Sequence, residues 1–141
     1  MATTTATPYT LEGATAFVYY WFDTLTYATG GGNTAPLEAA SNPNCATCAM
    51  AVQKVRTTYQ GGGSLRGGVY VVREARPDGF WTVDKPQLYT VFDRSPRSKI
   101  GPGGDTVETF APASFLSCQI LLERANDRWR MLDVLAQVPI V

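Results

Sequence analysis

There is no histidine anywhere in this sequence. That removes the side chain most used for proton transfer near neutral pH, which is also the commonest metal ligand. Cysteine is scarce as well, with 3 in 141 residues. One CxxC pair and a distant third thiol do not make up the four Cys or His ligands of a structural zinc site. No metal and no cofactor are therefore expected. Neither sign of charge is in excess, with Lys and Arg at 12 and Asp and Glu at 12. The basic footprint of a nucleic-acid binder is missing, and the local cluster Arg94, Arg97 and Lys99 reads as solvated surface of a Ser/Pro loop. No apolar run approaches the roughly 20 residues that span a bilayer, and no signal-peptide pattern opens the chain. No transmembrane segment is expected.

What is present is enough apolar residue, 45%, to bury a core. Residues 1–9 are polar and rich in threonine, and read as a flexible segment. Residues 10–141 read as one domain. Thr10 is a good helix cap, with Glu12 placed to favour the helix dipole. From Leu11 the apolar residues recur at Ala14, Phe17, Val18, Trp21, Leu25 and Ala28, one face of a helix that Gly30-Gly31-Gly32 ends. Tyr19, Asp23 and Tyr27 fall on the opposite, solvated side. Thr34 and Pro36 open a short second helix. Asn44 is placed to cap a third, whose stripe is Cys48, Val52, Val55 and Tyr59.

After Ser64 the period changes from 3.6 to 2. Strands are predicted at residues 69–72, near Phe80–Val83, at Gln87–Asp93, weakly at Thr106–Phe110, at Ser114–Arg124 and at Arg128–Val138. Pro77-Asp78-Gly79 and Asn126-Asp127 are turns, and Ser95–Gly104 reads as a loop. Helices first and strands afterwards is an α+β pattern, because βαβ units would alternate them. The simplest architecture packs three helices into a curved antiparallel sheet, a cone with room for a pocket at its open end.

The run Glu12-Gly13-Ala14-x-Ala16-Phe17-Val18-x-Tyr20-x-Phe22-Asp23 comes first, then Asn33-Thr34-Ala35-Pro36-Leu37 and Asn42-Pro43-x-Cys45-x-x-Cys48. Together they resemble a domain of unknown function found in actinobacterial lipoproteins. Arg66-Gly67-Gly68-x-Tyr70 and Trp129-Arg130-Met131-Leu132-Asp133-Val134 fit the same pattern. The resemblance implies the cystatin-like cone of the nuclear transport factor and SnoaL-like superfamily. It also implies export, with tethering through a lipidated N-terminal cysteine that is not in this chain. It carries over no activity and no catalytic residue.

Cys45 and Cys48 stand three apart at a helix start, about 5 Å between Cα atoms, within disulfide reach. A structural disulfide pinning the helix start is the expectation. The alternatives are a reduced pair or a redox site, since a thiolate at a helix N-terminus is acidified. Cys118 alternates with Leu116 and Ile120 and reads as a buried free thiol, although the odd count permits a further disulfide.

Three functional classes remain. The first is a non-catalytic envelope domain binding a small apolar ligand or a protein partner. Tyr70, Tyr89, Phe92, Phe115 and Trp129 are its candidate pocket residues, drawn from three Trp, seven Tyr and six Phe. The same aromatics could instead fill the cone. The second is a small isomerase or hydrolase using a carboxylate held away from water. Asp133 is the weak candidate, because it alternates with Trp129, Met131 and Leu135. Tyr70, Tyr89 or Glu108 would be its partner. The third is a CxxC thiol redox protein.

Overall fold

The computed structural model describes residues 10–78, 82 and 85–136. Helix α1 runs Leu11–Gly31, α2 Ala35–Ala39 and α3 Ala46–Gln60. The Gly13 amide donates to Thr10 Oγ1 at 3.0 Å, so the expected cap closes α1. Gly32, at φ 79°, ends it with its amide on the Ala28 carbonyl. A Cβ at Gly32 would stand 2.7 Å from the Tyr59 ring, so glycine is needed there for space as well as for φ. The buried arc of α1 is wider than the stripe read from sequence and also takes in Phe22, Thr24 and Thr29. The helix packs against β1, β2, α2 and α3 together, and so buries more than one stripe. Tyr19, Asp23 and Tyr27 are exposed as expected.

Among the described residues seven strands follow: β1 Ser64–Gly67, β2 Tyr70–Pro77, β3 Gln87–Arg94, β4 Arg97–Ile100, β5 Thr106–Phe110, β6 Ala113–Ala125 and β7 Arg128–Leu135. They form two antiparallel sheets, ordered β1-β4-β5 and β2-β3-β6-β7. The sheets are two halves of one surface. Three successive strand pairs break at the same level, at Gly68-Val69, Ser95-Pro96 and Ala111-Pro112. Gly67 and Gly68 adopt φ of 73° and 69°, open to glycine at little steric cost. The two prolines lack an amide for the ladder. Across this crease the Gly68 amide donates to the Pro96 carbonyl and the Ser95 amide to the Val69 carbonyl, each at 3.0 Å. A helices-first α+β cone is the result, its helices against the curved antiparallel surface.

Several sequence expectations are corrected. Ser95–Gly104 is not all loop: Arg97–Ile100 is strand β4, central in its sheet between β1 and β5. Its proline and glycines flank the strand rather than interrupt it. Cys45, not Asn44, is the N-cap of α3, and its Sγ accepts from the Cys48 amide at 3.2 Å. The Thr34 hydroxyl makes no cap bond to the backbone of α2 and donates instead to Glu38 Oε2 at 2.8 Å. Asn126 and Asp127 at φ 52° and 61° make the expected tight β6–β7 turn. The strand expected near Phe80–Val83 lies, apart from Thr82, outside the described residues, as does the end of Arg128–Val138.

The core sits between the helices and the four-stranded sheet. Trp21, Phe22, Leu25, Leu37, Leu88, Phe92, Ile120, Leu122 and Met131 are all fully buried there.

Candidate functional site

The interior of the cone is occupied by aromatic side chains. The Phe22 and Phe92 ring centroids are 4.9 Å apart, and Tyr70 stands 6.0 Å from each. Tyr70 and Phe92 are thus brought together as core. Burial raises the Tyr70 phenol pKa, an effect partly offset by the neighbouring charges of Arg97 and Arg94. Trp129 is also buried, under the guanidinium of Arg124, its cross-strand partner. The other two pocket candidates lie elsewhere. Tyr89 alternates with buried Leu88 and Thr90, so it is half-buried on the outer face, where Arg76 covers its ring. Phe115 is 68% exposed, and Arg73 lies 4.0 Å over its ring.

Asp133 does not face the core. The β6–β7 register passes from Leu122↔Met131 to Leu121↔Asp133, leaving Leu132 as an extra residue. This bulge inverts the alternation beyond Met131, so that Val134 is buried and Asp133 half-exposed. Asp133 Oδ1 accepts from the Val134 amide at 2.9 Å. Glu108 is exposed on β5. Among the described residues no carboxylate is buried, whereas an interior general acid needs one held away from water.

Cys45 and Cys48 form a disulfide, with Cα atoms 5.2 Å apart. Both are at least 98% buried, which leaves no sulfur presented to a partner thiol. Cys118 is a buried free thiol, and burial pushes its pKa up to about 12.

The open space lies at the creased end. A groove of about 470 Å³ runs between α3 and the three-stranded sheet. Its floor and walls are chiefly apolar, from Met50, Leu65 and Phe110 and from the stems of longer side chains. Lys54, Arg97 and Lys99 line it, against one carboxylate, Glu108. Arg97 is 8% exposed and stacks its guanidinium 4.5 Å from the Phe110 ring centroid. Arg97 is therefore not the solvated loop residue expected from sequence. Two shallower features carry less apolar lining: one of about 310 Å³ beside the Arg56–Glu38 ion pair and Pro43, and one of about 520 Å³ over Cys118 and Tyr89.

Residues 2–103, from the N-terminal segment to the loop after β4, match one described family. The chain belongs to the family of unknown function DUF6318. That span contains the three helices, the CxxC and both strands that carry Leu65 and Arg97. No curated protein matches the chain. Solved structures agree on the architecture. The intermembrane-space region of the chloroplast protein ARC6 is 12% identical at a TM-score of 0.60, over 91% of this chain and 98% of that one. A protein assigned as an aromatic ring hydroxylase from Novosphingobium aromaticivorans is 7% identical at 0.53, over 88% and 89%. One assigned as a dehydratase of the NTF2-like family from Streptomyces avermitilis is 10% identical at 0.51, over 86% and 93%. At such identities the likeness is one of fold, and the fold is the NTF2-like cone for this DUF6318 chain. No helix among the described residues is long and apolar enough to cross a membrane.

The groove residues were missed at the level of sequence. The one signal available was Arg66-Gly67-Gly68, a pair of glycines where an ordinary strand has none.

Proposed function

We propose that this chain is a non-catalytic binding domain of the cell envelope, and that its ligand-binding surface is the groove between α3 and the sheet β1-β4-β5. The observation that carries this reading is the groove itself. It has the volume of a small-molecule site, roughly 300–1,000 Å³, a mostly apolar lining and a few polar groups. Packing of Phe22, Tyr70 and Phe92 in the interior moves the expected apolar ligand from the heart of the cone to this edge. The half-exposed placement of Asp133 supports binding over turnover. The Cys45–Cys48 disulfide supports an oxidising, extracytoplasmic setting. The resemblance to actinobacterial lipoproteins supports a lipid tether outside this chain.

The test uses Nile red, a neutral apolar dye. One saturable site is expected by fluorescence. Met50, which is 51% exposed on α3, can be changed without disturbing the core. Met50→Lys should weaken the dye by about tenfold, the effect of about 1.4 kcal/mol. Saturable binding that is indifferent to Met50→Lys would place the site elsewhere and defeat the proposal.

A further inference from the structure

Among the described residues Arg97 has no ion-pair partner, in a place built to hold its side chain. Its side chain is 8% exposed, and its Nε is buried with no hydrogen-bond partner. None of the ion pairs among the described residues includes it. A buried, always-charged guanidinium is costly unless something satisfies it. Stacking on Phe110 at 4.5 Å supplies part of that compensation and leaves Nε without an acceptor.

The backbone is shaped around the same side chain. A Cβ at Gly68 would stand 3.0 Å from Arg97 Cδ and 3.2 Å from Cγ, and Gly68 has φ 69°. At Gly67 a Cβ would fall 2.1 Å from the Pro96 carbonyl oxygen. The two glycines therefore let β1 and β2 close over the stem of Arg97, while the crease directs the guanidinium to the groove. Lys54 and Lys99 line the same groove, so cations outnumber its single carboxylate, Glu108.

We infer that the groove binds an organic carboxylate with an apolar body, and that Arg97 is the residue that holds the carboxylate. The guanidinium fork matches a carboxylate in two parallel hydrogen bonds. Met50, Leu65 and Phe110 take the apolar part. This deepens the binding reading above and rests on it. That reading needs only an apolar occupant, whereas this one needs its negative charge.

The experiment is a titration of the 15N-labelled chain with naphthalene-2-carboxylate, with the neutral isostere naphthalene-2-methanol and with inorganic phosphate. The Arg97 Nε–Hε signal and the amides of Leu65, Lys99 and Phe110 are followed. The carboxylate should saturate and shift the Arg97 Hε signal. The alcohol should bind the same amides at least tenfold more weakly, and phosphate should give no saturable shift. Arg97→Met should weaken the carboxylate at least tenfold and leave the alcohol within about twofold; Lys99→Met, at a half-exposed position, should cost the carboxylate a few-fold. Equal binding of carboxylate and alcohol overturns the inference and leaves the apolar-groove reading standing. Phosphate binding as tight as the carboxylate overturns it in favour of a free oxyanion site. If neither naphthalene shifts the groove amides, both readings fall. The comparison of three ligands on the unaltered protein decides the matter even if Arg97→Met does not fold.

Discussion

The Trp21 indole N–H donates to Ser41 Oγ at 3.0 Å, and the Ser41 hydroxyl donates to the Leu37 carbonyl at 2.7 Å. This relay ties the middle of α1 to the end of α2 through a fully buried ring. Trp21→Ala should cost about 3–5 kcal/mol, the range for emptying a large aromatic site. Ser41→Ala should cost about 1–3 kcal/mol, because it strands the indole N–H without a partner. Urea melts check both. A Trp21→Ala loss below about 1 kcal/mol would show that the ring is not part of the folding core.

The three thiols should separate by condition. Iodoacetamide at pH 8.5 should leave the native, unreduced protein unmodified, add one group after unfolding and add three after unfolding with reduction; intact mass reads all three. The reasons are the Cys45–Cys48 disulfide and the burial of Cys118. Linkage gives the pH dependence. The Cys118 thiol pKa rises from 9.0 to about 12 on folding, so the folded state holds its proton more tightly. Its contribution is complete below pH 9 and is lost as pH climbs towards 12. Over that window the wild-type protein should lose about 1.4 kcal/mol per pH unit more than Cys118→Ala. Tyr70 acts in the same direction in both proteins and cancels in the comparison. Equal alkaline slopes would refute the claim.

Helix faces were legible in the sequence because a period of 3.6 with glycine stops has few competing readings. The strands with clean alternation, β3 and β6, were legible for the same reason. Asp133 was misread because one extra residue, Leu132, inverts a period of 2, and nothing local marks a bulge. Strand β4 was hidden by its flanks, since Pro96 and the glycines after Ile100 look like a loop to any local reading. Arg97 followed from that error. A charged residue in a supposed loop is read as solvated, whereas on a central strand under a Gly-Gly crease it is buried. The groove is a product of pairing between β1, β4 and β5, and that long-range register has no local signature.

Asp93 joins three elements on the outer surface. Its carboxylate accepts from Arg73 Nε at 2.7 and 2.8 Å and from the Phe115 amide at 2.9 Å. Phe115 sits at φ 54°, uncommon for a residue other than glycine, and Arg73 covers its ring. The hydrogen bond from Arg73 is the main reason the Asp93 pKa lies below its ordinary value of 3.8, with the Phe115 amide second. A depressed carboxylate stabilises above its unfolded pKa and loses that contribution as pH falls through the folded one. An NMR titration should place the Asp93 midpoint below 3.8, and Arg73→Ala should move it up. An unchanged midpoint in Arg73→Ala would remove Arg73 as the cause.

The last prediction concerns the filled interior. Phe92 is fully buried on β3, 4.9 Å from Phe22 on α1, where the helix meets the middle of the four-stranded sheet. Replacing it with alanine leaves Phe22 and Tyr70 facing a void that backbone on two sides cannot easily close. Phe92→Ala should therefore destabilise by about 3–5 kcal/mol. Binding should respond differently. If the groove is the site, Nile red affinity in the folded Phe92→Ala protein should stay within about threefold of wild type, because Phe92 does not line the groove. A tenfold loss on Phe92→Ala, with Met50→Lys silent, would return the ligand to the heart of the cone. The two substitutions make opposite demands on the two locations: one removes stability without touching the groove, the other blocks the groove without touching the core. Measuring stability and dye affinity on both proteins therefore separates a structural aromatic core from a ligand pocket.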